Sequence, residues 1–215
     1  MRLATIAIRR WGIDDHQPAI LQVKNQYVID YLVNEVLVRQ PPSMRSFLLK
    51  SSILDRFCAP LCAAFVGSDS LDEGILSRLE EEGLFIESLD SQKEWYRFHQ
   101  LFREILRQRL EAEYSASEVT ELRLRASNWL AANGFIEDAL DQALKSGEVQ
   151  VAVNILAKIG ATLVDRESWL LLESLLNKFP SEIINREPYL LLLLAWLKLV
   201  RMQLGPVERI REYLQ

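Results

Sequence analysis

The chain has 215 residues, 49% hydrophobic and 26% charged, with a formal net charge of −5. That balance excludes a disordered chain and leaves enough apolar surface for one large domain or two ordinary ones. It also argues against a dedicated nucleic-acid surface, which carries a basic excess.

The first ten residues, MRLATIAIRR, have too short an apolar core and too many arginines for a secretory signal. The most apolar run, Tyr189 to Leu197, falls well short of the roughly 18 residues that cross a bilayer. A cytoplasmic location with no membrane partner is expected. Leu3, Ile6 and Ala7 describe the end of a helix without a packing partner, followed by an irregular stretch from Gly12 to Asn25. Residues 1–25 are therefore expected to be the remnant of a preceding domain and a linker, in a chain cut from a longer protein.

Val28, Tyr31, Leu32, Val36 and Leu37 mark an amphipathic helix over Tyr27 to Val38. Pro41-Pro42-Ser43 stops it and opens a second, Met44 to Ser52, with Phe47 and Leu48 inward. A short apolar helix runs from Ala59 to Val66 and closes at Gly67. Cys58 and Cys62 lie four apart on one face there; zinc would need two more ligands, so both are read as small core residues. Ser70 or Asp72 caps a helix from Leu71 to Glu82 that stops at Gly83, and Glu80-Glu81-Glu82 reads as a solvated helix end.

Two strand-like runs follow, Leu84 to Leu89 and Trp95 to Phe98, joined by the polar turn Asp90 to Glu94. An amphipathic helix then starts at His99-Gln100. Helices, a small hairpin and a closing helix make a winged-helix domain, assigned to residues 26–114.

From Ser115 onward every pattern is helical. Ser117 caps a helix from Glu118 to Ala132 that ends at Asn133-Gly134, and Ile136 to Lys145 ends at Ser146-Gly147. Val149 to Leu163 and Trp169 to Phe179 form a second pair stopped by Pro180. Pro188 opens Tyr189 to Gln203, and Gly205-Pro206 begins its partner. Antiparallel pairs at this spacing predict a TPR-like helical-repeat region, an α-solenoid, over 115–215. Ala139 and Ala152 are the small residues that let neighbouring helices approach, and Trp129, Trp169 and Trp196 are read as core wedges. The predicted class is mainly α.

The candidate chemistry is sparse. The chain has no Gly-rich phosphate loop with Lys and Ser/Thr, no nucleophile elbow and no metal-ligand set, so neither an enzyme nor a metal site is expected. A DNA-reading winged helix would want a basic recognition helix, yet the helix before the hairpin carries Asp72, Glu73 and three successive glutamates. Arg103, Arg107 and Arg109, interleaved with Glu104 and Glu111, read as a salt-bridged helix surface or a domain contact. Direct nucleic-acid binding is not expected. One of the two histidines, His99, sits where the second strand meets the helix, and helix starts offer N–H groups and positive charge to anions.

The runs Tyr27-Val-Ile-Asp-Tyr-Leu-Val-Asn-Glu-Val-Leu37 and Arg45-Ser-Phe-Leu-Leu-Lys-Ser-Ser-Ile-Leu54 resemble the large MalT-like, ATP-dependent transcriptional regulators of the LuxR type. Glu82-Gly-Leu-Phe-Ile86, Trp95-Tyr-Arg-Phe-His99, Leu101-Phe-Arg-Glu-Ile-Leu106, Ala126-Ser-Asn-Trp-Leu130, Gly134-Phe-Ile-Glu-Asp-Ala139 and Ala143-Leu-Lys-Ser-Gly147 continue the likeness in order. The resemblance implies a signal-transducing NTPase module before residue 25, the winged helix, a helical-repeat sensor region for an inducer or regulatory protein, and a DNA-binding domain beyond. ATP and ADP would belong to the parent, with no cofactor held by this piece alone. It also implies that Phe98-His99, ahead of Phe102, Glu104 and Leu106, places His99 on the β-phosphate of bound ADP; Ile105 replaces the usual aromatic. The rival reading is a free-standing helical-repeat adaptor for another protein.

Overall fold

The computed structural model describes residues 37–66, 76, 79–80 and 85–213, with only the backbone given for 201 and 203–213. All of the expected helix at Tyr27–Val38 except Leu37 and Val38, and most of Leu71–Glu82, lie outside them, as do residues 1–25. Nine helices and one hairpin are found among the described residues, so the chain is mainly α with a small antiparallel hairpin. It divides into two compact units, Met1–Arg125 and Ala126–Gln215.

In the first unit, α1 (Pro42–Ser51) has Pro42 in its first turn, where a missing N–H costs nothing, and buries Phe47, Leu48, Leu49 and Ser51. The buried Ser51 hydroxyl is satisfied by the Phe47 carbonyl at 2.7 Å. Helix α2 (Ala59–Val66) runs as its apolar pattern predicts and buries Leu61, Cys62 and Phe65. Cys58 and Cys62 are both buried free thiols whose pKa burial pushes up, which matches their reading as core residues.

Strands β1 (Ile86–Ser88) and β2 (Tyr96–Phe98) pair antiparallel, Ile86 opposite Phe98 and Ser88 opposite Tyr96. Phe57 adds a bridge on the other side of β2, exchanging two 2.8 Å backbone bonds with Tyr96. Helix α3 (Gln100–Glu113) leaves β2 directly and buries Phe102, Ile105, Leu106 and Leu110. It packs on α1, and an Arg45–Glu113 ion pair joins the two.

Asp90 builds the hairpin turn. Its carboxylate accepts the N–H groups of Glu94 at 3.0 Å and Trp95 at 2.8 Å, and these bonds hold its pKa below the usual carboxylate value. The turn is also tied to Glu80, whose carboxylate pairs with Lys93 at 2.8 Å. Glu80 is therefore not the freely solvated helix end the sequence suggests. A carboxyl with a depressed folded-state pKa contributes stability above its unfolded pKa, about 4, and loses it as pH falls through the folded value. Asp90→Asn should accordingly lower the melting temperature at pH 7, and the gap to wild type should shrink by pH 3. A gap independent of pH in thermal melts would rule this out.

The second unit takes its residues from Ala126 on. Helix α4 (Ala116–Ala132) begins one residue after Ser115, not at the predicted Ser117 cap. Ser115 and Glu118 form a reciprocal capping box: the Ser115 N–H donates to Glu118 Oε2 at 2.8 Å, and the Glu118 N–H donates back to Ser115 Oγ at 3.3 Å. At its far end Gly134, with φ +83°, lets the Phe135 N–H reach the Leu130 carbonyl at 2.9 Å. Helices α5 (Ile136–Lys145), α6 (Val149–Asp165) and α7 (Trp169–Leu176) follow close to the predicted places.

A short α8 (Ser181–Arg186) was not expected after Pro180. Helix α9 (Pro188–Tyr213) continues through Gly205-Pro206 rather than breaking there. Proline's fixed φ is helical, but inside a helix it removes one hydrogen bond and crowds the carbonyl four residues back, at a cost of about 3 kcal/mol. The core holds Ala139, Leu140, Ala143, Ala152, Leu156, Leu172, Leu175 and Leu190. Trp129 is half-buried and stacks on Phe135 at 6.2 Å, and Trp169 is half-buried. Trp196 is 45% exposed and is no core wedge, because Leu193 and Leu197 on the same helix face inward instead.

Candidate functional site

His99 is held from both sides by backbone geometry. Its N–H donates to the Phe85 carbonyl at 2.7 Å, extending the hairpin ladder, and its carbonyl accepts the Arg103 N–H at 3.0 Å as the first bond of α3. It is the N-cap residue of that helix, yet its side chain makes no capping hydrogen bond. The imidazole is exposed, so it stands where the positive end of the α3 dipole meets solvent. Beneath it, Phe98 is buried against Phe57 (centroids 4.7 Å apart) and Phe102 (5.9 Å). That aromatic cluster fixes the strand-to-helix corner.

The corner opens into a cavity of about 490 Å³ lined by Asp55, Glu87, Arg97, Phe98, His99, Gln100 and Arg103, a volume suited to a small ligand. Two ion pairs lie in its lining. Arg97 Nε meets Glu87 Oε1 at 2.5 Å across the strand register, and Arg103 Nη1 meets Asp55 Oδ1 at 2.6 Å. Asp55 also lies 3.3 Å from Arg107 Nη2. Arg107 is anchored independently, donating to the Ser52 carbonyl at 2.8 Å and the Ile53 carbonyl at 3.2 Å. The first turn of α3 contains no acidic residue. The cleft can therefore receive an anion with an imidazole, two guanidinium groups and a helix N-terminus, if the two carboxylates yield.

The MalT winged helix domain family matches residues 33–118, which take in the hairpin, α3 and the whole lining of this cavity. Residues 33–118 belong to the MalT winged helix domain family. The chain is 36% identical over 186 residues to the HTH-type transcriptional regulator MalT of Yersinia enterocolitica, covering 86% of this chain and 20% of that protein. It is 30% identical over 206 residues to the serine/threonine-protein kinase PknK of Mycobacterium tuberculosis, covering 96% of this chain and 18% of the kinase; PknK of Mycobacterium bovis matches equally well. The chain thus spans about a fifth of the length of these relatives. The matched winged helix is a regulatory rather than a catalytic module.

Within the MalT-like pattern, Phe102, Ile105 and Leu106 are buried and Glu104 is exposed. Ile105 fills an interior position, so its departure from the usual aromatic bears on packing. Arg103 and Arg107 find their counter-ion in Asp55, 48 and 52 residues away, rather than in Glu104 or Glu111 on their own helix. Asp55, Glu87 and Arg97 carry no sequence signal of a site: each is one charged residue beside an apolar run. Among the described residues, no group of three or more His, Cys, Asp or Glu could hold a metal, and no helix is long and apolar enough to cross a membrane.

Proposed function

We propose that this chain is a regulatory segment of a MalT-like transcriptional regulator, in which the winged helix reports the nucleotide state of an ATPase module to a helical-repeat sensor region. Residues 1–25 would be the end of that module and its linker, 26–114 the winged helix and 115–215 the first repeats, working in the cytoplasm. The observation that carries the reading is the placement of His99, pinned by two backbone bonds at the start of α3 in a cleft that also presents Arg97 and Arg103. A diphosphate anion fits that donor set: hydrogen-bond donors and positive charge converge on a space open to solvent. ADP, when bound to the ATPase module, would supply the diphosphate, and His99 would hold it at the imidazole.

Because His99's backbone belongs to both the hairpin and α3, a force on its ring is passed to α3 and to the packed helices around it. The repeats would then bind an inducer or a regulatory protein, and promoter binding would belong to a separate DNA-binding domain of the parent. The chain itself performs no chemistry in this reading. In the full-length regulator, His99→Ala should weaken ADP retention by about tenfold, the worth of one charge-assisted contact, and raise basal transcription. Unchanged ADP affinity together with unchanged basal transcription would overturn it.

A further inference from the structure

We infer that Arg103 is a second phosphate ligand of this cleft, held in reserve by Asp55, which acts as a built-in competitor for the incoming anion. The inference rests on the reading of the cleft as a diphosphate site and goes beyond it in assigning two residues that the MalT-like histidine pattern does not name. The geometry distinguishes Arg103 from its neighbour. Arg107 is locked by two main-chain carbonyls at 2.8 and 3.2 Å, so its guanidinium is structural. Arg103 instead reaches into the cavity and meets Asp55 through a single 2.6 Å contact. Asp55 is half exposed and retains Arg107 at 3.3 Å as a second partner. Arg103 can therefore leave Asp55 without stranding a carboxylate.

Electrostatics favours that exchange. Arg103 lies one turn into α3, near the positive end of the helix, where a cation is disfavoured and an anion favoured. With no acid in that first turn, the carboxylates lining the cleft are Asp55 and Glu87, supplied from elsewhere in the fold. An ion pair this exposed is worth little in water. A diphosphate carries more than one negative charge and offers a guanidinium two oxygens at once, so it outcompetes a singly charged carboxylate. With the anion absent, Asp55 masks Arg103; with it present, Arg103 changes partner.

The test uses this chain with inorganic pyrophosphate as the probe, followed by NMR of the imidazole resonances at constant ionic strength. His16 and His99 are the only histidines, so His99→Gln assigns the signal. Asp55→Asn should tighten pyrophosphate binding about tenfold and Arg103→Gln should weaken it about tenfold, with Arg103→Lys between. The decisive variant is the double one: Asp55→Asn should bring no gain once Arg103 is Gln. A gain that persists without Arg103, or an Arg103→Gln protein that binds like wild type, overturns the inference while leaving the His99 reading intact. If His99→Gln binds pyrophosphate like wild type, by the backbone amide resonances, while the Arg103 and Asp55 variants respond as stated, the His99 reading fails and this inference stands. No binding by any variant overturns the inference. Thermal melts check that each variant is folded, and Arg103→Lys retains the charge should Arg103→Gln fail to fold.

Discussion

Replacing Phe98 with alanine is expected to destabilise the winged-helix unit by about 3–5 kcal/mol, the range for removing a buried phenyl ring from a packed core. Phe98 is 3% exposed and touches Phe57 and Phe102 at centroid distances of 4.7 and 5.9 Å. Those contacts tie β2 to two other elements, the segment before α2 and the first turn of α3. The hole left by alanine would adjoin Phe57, Phe102 and the cross-strand partner Ile86, and a hairpin only three residues long in each strand has little independent strength to hold the gap open. A loss of this size is a large fraction of a domain's usual 5–15 kcal/mol. Phe98→Leu, which keeps most of the volume, should cost about 1 kcal/mol. Urea unfolding read by the near-ultraviolet signal of the aromatic cluster measures both. A loss below about 1 kcal/mol for Phe98→Ala would show that the cluster relaxes around the hole and does not brace the corner that carries His99.

In the second unit the largest effect is expected at Gly160, in the middle of α6. An alanine normally favours a helix interior over glycine by about 1 kcal/mol. Here a Cβ would stand 2.6 Å from the Tyr189 hydroxyl and 3.0 Å from Leu193 Cδ1, both on α9. The Tyr189 hydroxyl donates to the Ala157 carbonyl at 3.3 Å, so pushing it aside loosens that bond as well. The two effects nearly cancel for Gly160→Ala, which should lie within about 1 kcal/mol of wild type. Gly160→Leu gains almost the same helix propensity but adds a branched side chain where there is no room, and should cost about 3 kcal/mol, the upper part of the overpacking range. Denaturant melts of both variants decide it. A Gly160→Leu protein as stable as wild type would mean that α6 and α9 separate freely.

Much of the fold is legible in the sequence because it is punctuated locally. Gly134 and Gly147 stop their helices by supplying positive φ, at +83° and +84°. Pro42 starts α1, and Asp90 marks the hairpin turn with a side chain that bonds the backbone a few residues on. Where two local signals compete, the reading slips by a residue or two: Ser115 and Ser117 are both good caps, and only the Ser-x-x-Glu box with Glu118 separates them. Gly160 shows the opposite case. A glycine inside a helical pattern says that something comes close, but the tyrosine and leucine that do so lie about thirty residues further on. Periodicity likewise assigned Trp196 to an apolar run without saying which of its neighbours turns inward.

The candidate site divides along the same line. His99 was visible because a histidine between a strand and an amphipathic helix, preceded by Phe98 and followed by Phe102, is a contiguous pattern, and its anion-facing position follows from where a helix begins. Local residues suffice for the hairpin corner, the histidine on it and most of the helices, since each depends on neighbours within a turn or two. That Asp55 stands between Arg103 and Arg107, that Glu87 faces Arg97 and that these charges share one cavity follows from the packed fold alone. Ion pairs between distant segments depend on which faces the packed core brings together, and hydrophobic spacing specifies a face without naming what it will meet.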